Sequence, residues 1–258
     1  MIQIDQDASE IGRNYGGAIG LLSDVRAALQ ALAAVATGTQ HPEWMAHTNG
    51  FVETWRADTE AHRSSEQVPM RPERICRELT EVLPRDAILV ADTGFAAMLT
   101  GTLVGLRHPA QRYFRAAGSL GWSFPASLGA KCAAPDRPVV CFTGDGGFYY
   151  HLPELETARR RGLKTITIVN DNSCLGQGLR NLTLAHQGYD ETNKGECYEF
   201  GHTDFARVAK AFDCFGVTVE KPGDFAAAFQ AALASDLPAV IDVKSDPAAQ
   251  VALPWMPS

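Results

Sequence analysis

From Pro72 onward, short apolar runs alternate with stretches of helical spacing. Pro72 to Leu83 carries apolar residues at Ile75, Leu79, Val82 and Leu83, which predicts a helix. Ala87 to Ala91 is a compact apolar run, as are Val139 to Phe142, Thr165 to Val169, Val217 to Val219 and Ala239 to Val243. Helical spacing fills the gaps at Phe124 to Cys132, Pro153 to Arg161, Phe205 to Phe212 and Phe225 to Ala234. Apolar strands that alternate with helices predict an α/β fold, a parallel sheet of about six strands with helices on both faces. Ligands in such sheets sit outside the carboxyl ends of the strands. Three of the runs end there in polar or small residues: Asp92-Thr93-Gly94, Gly144-Asp145-Gly146-Gly147 and Asn170-Asp171-Asn172.

The chain before Pro72 is different. Ile2 and Ile4 alternate with polar residues as in a strand, and Asp24 to Ala36 is rich in Ala and Leu, as in a helix. One strand and one helix cannot close a core, so residues 1–36 read as the tail of a preceding domain. Residues 37–70 read as a connector: His41 to His62 predicts a helix and Arg63 to Met70 a polar linker. Residues 71–258 form the main domain. The 258 residues are 45% hydrophobic and 21% charged, ordinary for a globular chain. A net charge of −7 argues against a nucleic-acid or membrane-surface partner, since both require a basic field. No apolar run is long enough to span a bilayer, and Met1 to Asp5 does not open a signal peptide. The six cysteines form no CxxC pair and read as reduced thiols of a cytoplasmic protein.

The candidate chemistry lies at two neighbouring strand ends. Glycines in Gly144-Asp145-Gly146-Gly147 let backbone N–H groups approach an anion closely. Asp145 inside that loop would repel phosphate oxygens unless a cation stood between. Asn172 follows 27 residues later, the length of one helix and one strand, so adjacent strands would present the two side chains together. A carboxylate and an amide oxygen are hard ligands, suited to a Mg²⁺ ion shared with phosphates. A dinucleotide site is the weaker alternative, because Gly144-Asp145-Gly146 is followed by Tyr149 where G-x-G-x-x-G needs glycine. Cys174 has no base placed near it by spacing and is not read as a nucleophile.

Gly144-Asp145-Gly146, 24 residues, then Asp171-Asn172 resembles the thiamine diphosphate fingerprint, which usually has Asn where Asp171 stands. Gly118 to Ala130, Ala91 to Gly94 and Asn172 to Gly176 are similar to the matching segments of acetolactate synthase-like enzymes. Ile2 to Gly12 resembles the end of their central domain. The resemblance implies that Asp145, Asn172 and the backbone carbonyl of Cys174 bind Mg²⁺. It implies that Gly146 and Gly147 donate N–H groups to the diphosphate, with Gly94, Gly144, Leu175 and Gly176 beside it. Leu120 corresponds to the apolar residue that bends the cofactor and brings its reacting atoms together.

The same resemblance sets expectations for the whole protein. The activity would be decarboxylation or carboligation of a small-molecule 2-oxo acid. The activating Glu would come from a pyrimidine-binding domain not found in this sequence, supplied by a separate chain or a longer gene product, in a homo-oligomer or a mixed complex. Without it the chain would be nearly inert, and the alternative is a non-catalytic cofactor-binding subunit or a truncated product. Gln177-Gly178-Leu179-Arg180 follows Leu175-Gly176 where acetolactate synthases have Met-Val and soon Gln-Trp, which points away from a strict acetolactate synthase. Flavin (FAD) is left open: Asp5 and Asp24 fall where the family's central domain touches an adenine nucleotide. The polar stretch His186 to His202 reads as a loop over the site, with solvated histidines.

Overall fold

The computed structural model describes residues 1–38, 40–185, 194–249 and 251. The chain divides into two compact units, Met1–Trp55 and Arg56–Ser258. In the first, strands β1 (Ile2–Asp5) and β2 (Ile19–Leu22) pair in parallel, with Ile2 opposite Ile19. Helix α1 (Val25–Val35) follows, with the Asp24 side chain accepting the Ala27 N–H at 3.0 Å as its cap. Helix α2 (Pro42–Arg63) starts with proline, whose missing N–H costs nothing in a first turn.

The second unit carries the periodic part of the sequence. Its elements are α3 (Pro72–Val82), β3 (Ile88–Ala91), α4 (Phe95–Leu103), β4 (Arg112–Arg115), α5 (Ser123–Ala133), β5 (Val139–Gly144), α6 (Asp145–His151), α7 (Glu154–Arg161), β6 (Thr165–Asp171), α8 (Gly176–Ala185), α9 (Lys194–Tyr198), α10 (Phe205–Ala211), β7 (Phe215–Val219), α11 (Asp224–Ala234) and β8 (Ala239–Lys244). The six strands β3 to β8 form one parallel sheet in the order β4-β3-β5-β6-β8-β7. The expected parallel α/β sheet of about six strands is what the chain forms.

Alternation along each strand divides the core between the two faces. Leu89, Val140, Phe142, Ile166, Ile168 and Ile241 pack with Ile75 and Leu79 of α3, Leu99 of α4 and Phe225 and Phe229 of α11. On the other face Cys141, Val169 and Val240 pack with Phe124 of α5, Phe148 of α6, Leu155 of α7 and Phe205 of α10. Fully burying one such large side chain contributes about 1.5–3 kcal/mol. Three phenyl rings meet edge-on in this second layer: Phe124 to Phe148 at 5.2 Å and Phe148 to Phe205 at 5.6 Å between centroids. Phe148 follows Gly144-Asp145-Gly146-Gly147 directly, so its burial fixes that loop to the core.

The fold adds elements that the apolar pattern did not predict. β4 is an edge strand of sequence Arg-Tyr-Phe-Arg with mostly exposed side chains, so it has no apolar run to announce it. α4 has no polar face to create a helical period, and α6 begins inside the glycine loop. The stretch read as a loop from His186 to His202 contains α9 at Lys194–Tyr198, and residues 186–193 lie outside the described residues.

Candidate functional site

β5 and β6 are hydrogen-bonded neighbours, and their register pairs Gly144 with Asn170. One residue further, Asp145 opens α6 and Asp171 ends β6. Beyond Asp171 the backbone turns sharply at Ser173, a non-glycine residue at φ 54°. Oδ1 of Asp171 supports this turn by accepting the Ser173 N–H at 3.0 Å and Oγ at 3.3 Å. The next N–H, that of Cys174, reaches Oδ2 of Asp145 at 3.1 Å and Oδ1 of Asn172 at 3.3 Å. Two oxygens from two strand ends therefore converge on one partial positive charge.

Asp145 is 2% exposed. Burial pushes its carboxyl up from the ordinary range to about 7; the N–H groups of Gly146 and Cys174 oppose the shift, and the neighbouring Asp171 carboxylate adds to it. Among the described residues no three His, Cys, Asp or Glu side chains cluster as a metal site. Any cation here would rest on one carboxylate, one amide and main-chain oxygen. That donor set fits Mg²⁺, which takes few protein ligands and shares its shell with phosphates and water.

The convergence lies in a cavity of about 480 Å³. Gly94 lines it at the end of β3, and Leu120 lines it from the loop before α5. The β5–α6 junction brings Gly144, Asp145, Gly146 and Gly147 to the same wall. The end of β6 brings Asn172, Cys174, Leu175 and Gly176. Every site residue expected from the sequence thus borders one cavity. Its walls fit an extended anionic ligand. The N-termini of α4 and α8 open onto it at Gly94 and Gly176, and helix N-termini favour negative charge. A Cβ built on Gly144 would meet nothing within 4 Å and would project into open space. Asn170 also lines the cavity, and its buried Oδ1 has no hydrogen-bond partner among the described residues.

Four contributors were not singled out from sequence as site residues. Gln177 and Asn181, one turn apart on α8, and Tyr198 of α9 border the cavity mouth. Tyr198 reaches it because the 198–200 segment pairs with the backbone of residues 173–175: Leu175 N–H donates to Tyr198 O at 2.8 Å and Phe200 N–H to Ser173 O at 2.7 Å. The signal was weak, one of two tyrosines in a polar stretch. The fourth is Asp92, 0% exposed at the end of β3. It accepts the N–H groups of Thr93 at 2.8 Å, Gly121 at 3.0 Å and Ser123 at 3.0 Å, and the Ser123 hydroxyl at 2.5 Å. It therefore holds the loop that carries Leu120.

Cys174 is buried, and that burial pushes its thiol up to about 12, so it is no thiolate nucleophile. His202 is exposed, with Nδ1 3.2 Å from Ser173 Oγ. Asp24 caps α1, and Asp5 accepts the Asp7 N–H at 2.9 Å.

The family described as thiamine pyrophosphate enzyme, C-terminal TPP binding domain, matches residues 92–243. The chain belongs to the thiamine pyrophosphate enzymes. The matched span contains every expected site residue and begins at Asp92. Over 250 residues the chain is 29% identical to glyoxylate carboligase of Escherichia coli O157:H7, covering 91% of this chain. Over 235 residues it is 31% identical to a probable acetolactate synthase of Mycobacterium bovis, covering 89%. Over 248 residues it is 26% identical to a putative thiamine pyrophosphate-containing protein of Bacillus subtilis, covering 94%. In each case it spans 41% of the relative's own length. Among the described residues no helix is long and apolar enough to cross a membrane.

Proposed function

We propose that this domain holds the diphosphate of thiamine diphosphate through a Mg²⁺ ion bound by Asp145, the Asn172 amide oxygen and the Cys174 carbonyl, within an enzyme acting on 2-oxo acids. The observation that carries this reading is the meeting of Asp145 Oδ2 and Asn172 Oδ1 at a single N–H in a glycine-walled cavity. The names of the relatives, a carboligase and an acetolactate synthase, support decarboxylation with carboligation as the reaction class. When bound, thiamine diphosphate supplies the nucleophile for a 2-oxo carbonyl and the electron sink that follows loss of CO₂.

The chain's own residues bind and orient. The N–H of Gly147, with the N-termini of α4 and α8, would receive the diphosphate beside Gly146, whose own N–H donates to Asp145 Oδ1 at 2.7 Å. Leu120, which lines the cavity from a loop anchored by Asp92, would supply the apolar contact that bends the cofactor. Gln177, Asn181 and Tyr198 offer neutral hydrogen-bonding groups at the mouth, where the 2-oxo acid enters. General acid–base help, worth about 10²–10⁴-fold in such enzymes, comes in this reading from a pyrimidine-binding domain on the same polypeptide or a partner.

Calorimetry on the chain tests the reading. Thiamine diphosphate binds only with Mg²⁺ present, and Asp145→Ala weakens binding by at least about a hundredfold. Removing the ion with EDTA abolishes binding of the unaltered chain. Equal affinity with and without Mg²⁺ would refute the metal assignment.

A further inference from the structure

Beneath the proposed metal site lies a cation that the binding of metal and diphosphate does not use. Lys244 ends β8, and the register sets it opposite Asp171, the last residue of β6. Asp242, two residues earlier on β8, projects to the same face of the sheet. The Lys244 ammonium pairs with Oδ2 of Asp171, lies 2.8 Å from Oδ2 of Asp242, and donates to the Thr203 carbonyl at 3.0 Å. Asp171 and Asp242 are 4% and 0% exposed. Asp242 also accepts the Phe205 N–H at 3.1 Å, while its Oδ1 has no hydrogen-bond partner among the described residues.

Asp171 is the acid that stands where the related fingerprint has an amide, and it lies against Asp145. A second carboxylate beside a divalent ion would be a stronger ligand than the Asn172 amide. Neither of its oxygens is free to turn that way. Oδ1 is committed to the Ser173 N–H and hydroxyl, and Oδ2 is the oxygen that Lys244 holds. Formal charges agree with this division of labour. Asp145, Asp171 and Asp242 bring three negative charges against one from Lys244, so a divalent ion brings the cluster to neutrality.

We propose that Lys244 is a positioning residue that withholds Asp171 from the metal, leaving Asp145 as the one carboxylate ligand and the site matched to Mg²⁺. The proposal rests on the metal-binding reading above. Mg²⁺ demands a near-octahedral shell of six oxygens at about 2.0–2.1 Å, whereas Ca²⁺ accepts 6–8 at about 2.3–2.6 Å. Freeing Asp171 adds ligand oxygens and negative charge, which moves the preference toward Ca²⁺.

The test titrates the full chain with Mg²⁺ and with Ca²⁺ in the presence of thiamine diphosphate, by calorimetry. Lys244→Met keeps the aliphatic stem and removes the charge. Its Ca²⁺-to-Mg²⁺ affinity ratio rises by about tenfold over the unaltered chain. Adding Asp171→Asn, which keeps an oxygen for Ser173, returns the ratio to the starting value. Lys244→Arg, which keeps a cation in place, leaves the ratio within about twofold. A purely structural role would weaken both ions alike in Lys244→Met without rescue by Asp171→Asn, and that result overturns the proposal. So does an equal shift in Lys244→Arg. Metal-independent cofactor binding by the unaltered chain removes the metal reading and this proposal with it. Metal-dependent binding there, with an unchanged ratio in Lys244→Met, removes this proposal alone.

Discussion

The adjacent strands β3 and β5 each end in a buried aspartate, and the two carboxylates live in opposite electrical surroundings. Asp92 receives four hydrogen bonds, three from backbone N–H groups and one from Ser123. Among the described residues, Asp145 receives two N–H groups, those of Gly146 and Cys174, and faces another carboxylate. Burial is equal, so donor supply makes the difference. A saturated carboxylate is an anchor that organises a loop. An under-compensated one is pushed toward neutrality and welcomes a cation.

The largest test of that contrast is Asp92→Ala. It leaves three buried N–H groups and a hydroxyl without an acceptor, and removing one side of such a buried charged network costs roughly 3–5 kcal/mol. Urea denaturation checks this; a loss under about 1 kcal/mol would mean that the anchor is not saturated as described.

Two glycines sharpen the comparison at the next level. A Cβ at Gly147 would stand 2.8 Å from Thr143 Oγ1 and 3.3 Å from Asp92 Cγ, so Gly147→Ala presses on the anchor and costs about 1–3 kcal/mol. Gly144→Ala meets no atom within 4 Å and sits at φ −82°, so its fold stays within about 0.5 kcal/mol while its methyl group occupies the cavity. Thermal melts and cofactor titration of the pair should dissociate: stability falls in the first, and thiamine diphosphate affinity falls in the second with stability unchanged.

The smallest effect belongs to a third, exposed carboxylate. Glu81 forms a two-pronged pair with Arg107 at 2.6 and 2.7 Å, and those hydrogen bonds lower its pKa. Its stabilisation is present above the unfolded-state value near 4.3 and is lost as pH falls through the lowered folded-state value. Because both side chains are about half exposed, Glu81→Gln costs under about 1 kcal/mol at pH 7, and less still in high salt. A cost above 2 kcal/mol in urea melts would contradict the screening argument.

Much of the architecture was legible because burial writes itself into composition. β5 and β6 are covered on both faces and read as runs rich in apolar and β-branched residues, and the spacing from Asp145 to Asn172 matched one crossover. The edge strand β4 and the glycine-rich start of α6 were not legible. β4 exposes most of its side chains, and α6 starts within a glycine loop, so neither leaves a period to detect. Tyr198 and Asp92 were missed for another reason: what each does depends on a partner far along the chain.

By itself the sequence determined the parallel sheet, the two strand-end loops and the residue types able to hold a divalent ion and a diphosphate. Only the tertiary structure decided which oxygens meet, which aspartate is saturated and which is not, and that Lys244 comes to rest beside Asp171. The physical reason is range. Periodicity and spacing are local properties of a chain, whereas desolvation and hydrogen-bond supply are set by atoms that arrive from distant positions when the sheet closes.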